Sequence, residues 1–338
     1  MAANSLVSAS TGIADESGIW LGDARIPWAE IVAVGIKTTA DGPYVDDVFW
    51  MFNVRDMGTS EVSGEFVSGD TLEILQRCLP GLNSAKIVEA MGSTVQRVWR
   101  IWHHERSVAR PTDEIMRARF ARLIGALGGN AGAGDPVFER LRSAWGGSDR
   151  RYHNVEHLTD CLAELDAARD EIDSSVRDRM ELALWYHDAV YIPRASDSEE
   201  RSARLLLEDA TALAIPSGVA TEAARLVRAT AHLSKSSGAG EPSAADEDLV
   251  IDIDFAILGQ DVLRFLEFEF AVEEEYRGIP GLVYFFKRGR FLASLLGTTP
   301  VYRTERFRAL YEHRARDNIS ALLESPRYHW YRWLRWLG

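Results

Sequence analysis

The sequence predicts a mainly α protein, with an all-helical domain over residues 105–338 preceded by a small α+β domain over residues 1–104. Three observations lead there. A chain of 338 residues exceeds what one ordinary core organises, so two domains are the natural expectation. From Pro111 onward, apolar residues recur at helical spacing almost without interruption. The residues before it carry short β-branched and aromatic runs punctuated by Gly, Asp and Pro.

Taken in order, Gly18–Leu21, Ile31–Thr38 and Val48–Val54 read as strands, separated by Gly-Asp, Asp-Gly-Pro and Asp-Met-Gly turn signals. Asp46-Asp47 reads as a turn and Trp50 as a core residue. Thr71–Leu79 and Ser84–Trp102 then carry helical spacing and end the first domain. The run Trp102-His103-His104-Glu105 tempts as a metal cluster, but adjacent residues on a helix do not face one another, and a polar domain junction is the simpler reading. The second domain is expected to hold helices at Thr112–Leu127, Pro136–Trp145, Asn154–Ala168, Ser175–Val190, Ser198–Leu213, Ala220–Leu233, Asp246–Tyr276, Val283–Leu296 and Thr304–Glu324. Pro136 after Asp135 and Ser198 after Asp197 mark helix starts. Asp246–Tyr276 should break near Gly259, and Ser234–Ala245, with its Ser, Gly and Pro, should be a loop. The aromatic cluster from Tyr328 to Trp336 is expected to cap the core.

Composition narrows the function. Hydrophobic content of 46% and charged content of 26% are those of a soluble globular protein. No apolar run is long enough to cross a bilayer, and Met1–Ser10 has neither the basic start nor the apolar core of a secretory signal, so no membrane partner is expected. Cys78 and Cys161 are far apart and form no metal-binding pair, which suits a reducing cytoplasm. A formal charge of −13 argues against polymeric nucleic acid as a partner, but not against a small anion, because a bound cation reverses the field locally.

The chemistry sits in three separated stretches. In Tyr152-His153-Asn154-Val155-Glu156-His157, the two histidines are four residues apart, so on a helix both imidazoles point the same way. His187-Asp188 lies inside the apolar run Met180–Val190, where a charged carboxylate is costly unless paired, and a divalent cation is the obvious partner. Farther along, Asp252 and Asp254 are embedded in the apolar segment Leu249–Gly259 and could supply a further carboxylate. Imidazole and carboxylate donors together suit borderline or hard first-row ions, and the lack of Cys pairs argues against a structural zinc site.

A His, then a His-Asp pair, then a distant Asp, all on helices, resembles the HD superfamily of metal-dependent phosphohydrolases. Tyr-His-Asn-x-x-His is also similar to the signature of cyclic nucleotide phosphodiesterases. The fuller pattern resembles a bacterial subgroup of predicted HD phosphohydrolases. It is carried by Arg151-Tyr152-His153-Asn154, Trp185–Tyr191, Asp197–Ala203, Asp254–Gly259 and Ala315-Arg316-Asp317-Asn318, and it covers about Arg106 to Leu323. The resemblance implies an HD-type helical catalytic domain over residues 105–338, with His157, His187, Asp188 and Asp254 as metal ligands. It implies one or two divalent ions per chain, of Mn, Mg, Co, Fe or Zn. Asp254 matches the last ligand because it directly precedes Phe-Ala, which makes Asp252 a supporting or surface group. His153 matches the phosphodiesterase histidine that does not bind metal and would protonate a leaving oxygen; the plainer role is a hydrogen bond to a structural carboxylate. Ser198 stands where the subgroup is expected to show Asn, which weakens inference from that block.

Other residues are assigned by their place in the sequence. His232 is a substrate contact or a ligand to a second ion, against the plainer role of capping its helix. Arg290, from an arginine-rich stretch that includes Arg303, Arg306 and Arg316, is the chosen phosphate contact, the other arginines being solvated or paired. Glu199 would orient water or simply start an exposed helix, and Cys161 reads as a small buried apolar residue. The expected reaction is hydrolysis of a phosphate ester or anhydride, of a nucleotide or small phosphorylated metabolite, by a metal-bound hydroxide, with Asp188 and His153 as the catalytic groups. A di-iron oxygenase on the same scaffold and a catalytically inactive nucleotide-binding regulatory module remain alternatives. The first domain carries no evident chemistry, and a regulatory or dimerisation role, including a homodimer, stays open.

Overall fold

A computed structural model describes residues 8–9, 13–21, 24–39, 47–55, 57–64, 69–104, 111–233, 245–297, 300–329 and 331. Asp46, Glu105, the Ser234–Ala244 part of the expected loop, and Trp330 and Arg332–Trp336 of the terminal aromatic cluster lie outside them. The protein is mainly helical, with strands, among the described residues, confined to the N-terminal part. The described residues up to His104, together with Gln260–Ala271, form one compact unit; those from Pro111 to Gly259, with Val272 onward, form a second. Residues 260–271, which follow the helical pattern of the second domain in sequence, thus belong to the first unit.

In the first unit, strands β1 (Ser8–Ala9), β5 (Ile31–Thr38), β6 (Val48–Val54), β7 (Gly58–Ser63) and β8 (Arg97–His103) form one sheet in the order β1-β7-β6-β5-β8. Strands β2 (Ile13–Asp15), β3 (Gly18–Leu21) and β4 (Ala24–Pro27) form an antiparallel meander. The β-branched and aromatic content of β5 and β6 suits a pleated, buried surface, and Trp50, Phe52, Ile36 and Val34 lie in the core. Two helices, α1 (Gly69–Cys78) and α2 (Ser84–Met91), complete the contiguous part of the unit. Ser84–Trp102 is therefore not one helix. It breaks at Gly92, and its second half pairs with β5 as the last strand in the sheet order. The histidines at its end follow strand geometry: His103 meets Asp261 at 3.5 Å, while the His104 ring lies 5.9 Å from that of Trp102.

The second unit is built from α3 (Asp113–Ala126), α4 (Gly134–Trp145), α5 (Val155–Ala167), α6 (Ser174–Tyr186), α7 (Ser198–Ala212), α8 (Ser217–Ala229), α9 (Ala245–Asp254), α11 (Gly281–Gly297) and α12 (Glu305–Glu324). Helix α10 (Val262–Glu275) runs from the first unit's segment into the second's. Caps set the starts: Thr112 accepts from Ile115 N–H at α3, and Asn154 accepts from Glu156 N–H at α5. Phe120, Phe138 and Trp185 form a mutually tilted aromatic centre. The expected break near Gly259 is a 3₁₀ turn over Phe255–Gly259. A Cβ on Gly259 would stand 2.5 Å from the Cβ of Tyr311, so only glycine lets α12 pack that closely. Tyr328 and Tyr331 are buried, against the rings of Phe285 and Phe286 respectively. Among the described residues, no helix is long and apolar enough to cross a membrane.

Candidate metal centre

Three helices bring the expected ligands together. His157 lies buried in the first turn of α5, whose start Asn154 caps three residues earlier. Helix α6 ends at Tyr186, short of the expected Val190, and His187 occupies its C-cap. The His187 ring takes part in that termination: its Nδ1 lies 2.9 Å from the Leu184 carbonyl oxygen. A carbonyl only accepts, so Nδ1 must carry hydrogen, and in the neutral ring the lone pair is on Nε2. Asp188 follows in the turn after the helix, and Asp254 is the last residue of α9.

The side chains converge on one point. His157 Nε2 and His187 Nε2 are 3.0 Å apart. Asp254 Oδ1 lies 3.1 Å from His157 Nε2 and 3.6 Å from His187 Nε2. Asp188 Oδ2 lies 3.3 Å from His187 Nε2 and 3.8 Å from His157 Nε2. Ligand atoms held about 2.1 Å from one ion stand roughly 3.0 Å apart when cis-octahedral and roughly 3.4 Å apart when tetrahedral. The observed separations bracket those values, so the residues fit a divalent cation. Cys161 Sγ is 3.8 Å from both ring nitrogens of His157, and His157, Cys161, His187 and Asp254 each offer an atom within 4.8 Å of the others, a group that could hold a metal ion.

Electrostatics point the same way. Burial would lower the pKa of the His187 imidazole, yet the Asp188 and Asp254 carboxylates and the Leu184 carbonyl push it up to about 9. Asp254, despite burial, is held well below the usual carboxylate range by the two histidines. A buried cluster that retains a proton this strongly is short of positive charge, and a divalent ion can supply it.

Beside the cluster lies a second assembly that the sequence reading captured only in part. His153 Nδ1 is 2.6 Å from Glu275 Oε2, and its ring stacks on Tyr191 at 4.0 Å. Glu275 Oε1 accepts the backbone N–H groups of Arg151, Tyr152 and His153, and Tyr191 donates its hydroxyl to Oε2 at 3.1 Å. Burial would raise the Glu275 carboxyl, but the His153 hydrogen bond and charge, and then the backbone donors, hold it down to about 2. The His153 imidazole is correspondingly raised, Glu275, Asp188 and Asp254 outweighing its desolvation. Arg150 joins the segments: Nη1 donates to the carbonyls of His153 (3.0 Å) and Asp188 (2.7 Å), and Nη2 to that of Ala189 (2.9 Å). Ser198 and Ser202 of α7 hold the same turn, through the N–H groups of Ile192 and Val190.

Neither Glu275 nor Arg150 was singled out from sequence. The signal for the first was a third consecutive acid, Glu273-Glu274-Glu275, ending an apolar helix; the second directly precedes the Arg151-Tyr152-His153 block. Glu199, half-buried at the start of α7, feels the Asp188 and Asp254 charges, and its carboxyl is raised mainly by burial. Asp252 is neither a surface group nor part of the cluster. It is buried and accepts from Arg303 N–H, Thr304 N–H (2.7 Å) and Thr304 Oγ1–H (2.6 Å), fixing the start of α12. Arg290 is exposed on α11 with its guanidinium over the Phe286 ring. Arg303 pairs with Asp248, Arg306 with Glu171 and Arg316 with Glu312. His232 falls in the 3₁₀ turn Thr230–Leu233, and its side chain lies outside the described residues.

Comparison of the chain with protein-family models, with curated proteins and with solved structures finds no match.

Proposed function

We propose that this chain is an HD-type phosphohydrolase that uses a divalent cation to cleave a phosphate ester or anhydride of a nucleotide or small phosphorylated metabolite. One observation carries the reading: His157, His187, Asp188 and Asp254 meet within hydrogen-bonding distance at the ends and first turns of three helices. These four residues would hold the ion, which when bound supplies Lewis acidity at phosphate oxygens and brings the ionisation of water towards neutral pH.

The chain's own residues supply the rest. His153 keeps Nδ1 on Glu275, so its Nε2–H is the proton available to a departing oxygen. Glu275 favours the imidazolium before transfer, and the Tyr191 ring and hydroxyl fix the orientation of the pair. Arg150 ties the carbonyl of His153 to that of Asp188, keeping the acid in register with the ligand-bearing turn. Metal analysis of purified protein, followed by phosphate release across a nucleotide panel with Mn²⁺, Mg²⁺, Co²⁺ and Fe²⁺, tests the reading. Metal-dependent release that disappears in His187→Ala is expected; metal bound without phosphate release from any substrate would sink the hydrolase assignment.

A further inference from the structure

We propose that a cavity in the helical unit, apart from the gathered metal ligands, binds a small polyvalent oxyanion of the phosphate or pyrophosphate class through Arg122, Arg169 and Arg177. The cavity has a volume of about 270 Å³ and is lined by those three arginines together with Asp166 and Glu181. Ligand pockets range upward from about 300 Å³, so its occupant is small. The site is independent of the metal-dependent reaction. Asp166 stands nine residues beyond His157 on α5, and Arg177 ten residues before His187 on α6. At about 1.5 Å per residue, the cavity lies roughly 13–15 Å along those helices from the metal ligands.

The two acids of the wall are already matched. Arg119 donates Nη1 and Nη2 to Asp166 (2.6 and 2.9 Å) and Nε to Glu181 (2.8 Å), and Arg122 Nη2 reaches Glu181 at 3.2 Å. Arg169 and Arg177 are different: among the described residues, neither side chain makes a hydrogen bond. Arg169 has Asp170 at 3.8 Å and Arg177 has Asp178 at 3.6 Å, both beyond hydrogen-bonding distance. Asp178 Oδ1 is itself buried without a hydrogen bond, so that contact satisfies neither group. The Arg177 side chain is only 24% exposed, and donors withdrawn from water and left unused are costly. An anion in the cavity meets them, and the guanidinium fork matches pairs of phosphate oxygens. The acids it must outcompete are Asp170 and Asp178, each a single charge loosely placed. The wall is also held in place without a ligand. Arg306 pairs with Glu171 and donates Nη2 to the Ala167 carbonyl at 2.9 Å, which pins the 3₁₀ turn Arg169–Glu171.

Calorimetric titration of pyrophosphate, and separately of inorganic phosphate, into the metal-free full-length protein at constant ionic strength reads this out. Expected is saturable binding of one anion per chain that persists in His187→Ala and Arg204→Met. In Arg169→Met and in Arg177→Met the affinity should fall by about tenfold or more. Arg204 is an exposed arginine on α7 and controls for the loss of one positive charge. The Arg169 side chain is 66% exposed and its replacement strands no buried partner, so the test stands even where Arg177→Met, beside buried Asp178, fails to fold. Absence of saturable binding to wild type overturns the proposal, as does an affinity unchanged in Arg169→Met or lowered equally in Arg204→Met. Binding lost in His187→Ala places the anion at the metal centre, which overturns this site and leaves the metal-site reading intact.

Discussion

His153 and Glu275 form an ion pair next to the cluster, and its pH behaviour is testable. Glu275 holds His153 in its charged form above the ordinary histidine value. A rate that needs the imidazolium should therefore decline only as pH rises through that raised value. In Glu275→Gln the decline should begin at lower pH, as the pH–rate profile will report; an unmoved profile would remove His153 from the acid role. The carboxylate carries the opposite sign. Its folded value of about 2 lies below the ordinary 4.5, so its contribution is fully present above pH 4.5 and is lost as pH falls towards 2, at most on the order of 3 kcal/mol. Urea unfolding at pH 5 and pH 3 should show a steeper acid loss in wild type than in Glu275→Gln. The two acids of α9 separate as cleanly. Asp254→Ala should empty the metal site, whereas Asp252→Ala should keep the metal and lose roughly 1–3 kcal/mol, because it strands the Arg303 and Thr304 donors. Metal content and thermal melts on both variants check this.

At the scale of elements, the site is made by helix ends. His157 opens α5, His187 closes α6 and Asp254 closes α9, so small errors in where each helix stops would pull these candidate ligands apart. Arg150 counters this by bridging two of those ends through backbone carbonyls. Replacing a group that orients metal ligands commonly costs about 10–100-fold in affinity. Arg150→Met should weaken Co²⁺ or Zn²⁺ binding by about that factor in calorimetric titration while leaving the helical circular dichroism near wild type. Unchanged affinity would show that the ends hold their register without it. Helix existence was largely legible, because periodic apolar spacing and caps such as Thr112, Asn154 and Thr304 are local signals. Ser84–Trp102 misled because its apolar residues fit either period, and pairing with β5 decided the second half.

For the whole molecule, a cation that binds only the folded chain stabilises it by mass action, by about 2.7 kcal/mol at a hundredfold excess over its dissociation constant. Adding chelator to metal-loaded protein should lower the midpoint of thermal unfolding, and restoring Zn²⁺ or Co²⁺ should raise it with concentration. A midpoint indifferent to both would contradict a site in the folded core. The first unit, with Trp50, Phe52 and the paired strands β5, β6 and β8, has its own apolar core. It also takes in Leu263 and Phe270 from a distant stretch of chain, packed with Ala33, Met51 and Val98. That return was invisible in the sequence, since a continuous helical pattern does not reveal which neighbour its apolar face covers.

The sequence alone determined the helical class of the second unit and singled out His157, His187 and Asp188, because apolar periodicity and charged residues inside apolar runs are written locally; the choice of Asp254 over Asp252 came from the resemblance to the HD superfamily. Tertiary structure decided the rest. It brought Glu275 onto His153 across more than a hundred intervening residues, set Asp252 to hold the cap residue Thr304 at the start of α12, and set Cys161 against the imidazoles. Those outcomes depend on how helices meet, and partners so far apart along the chain are chosen by packing rather than by any local pattern.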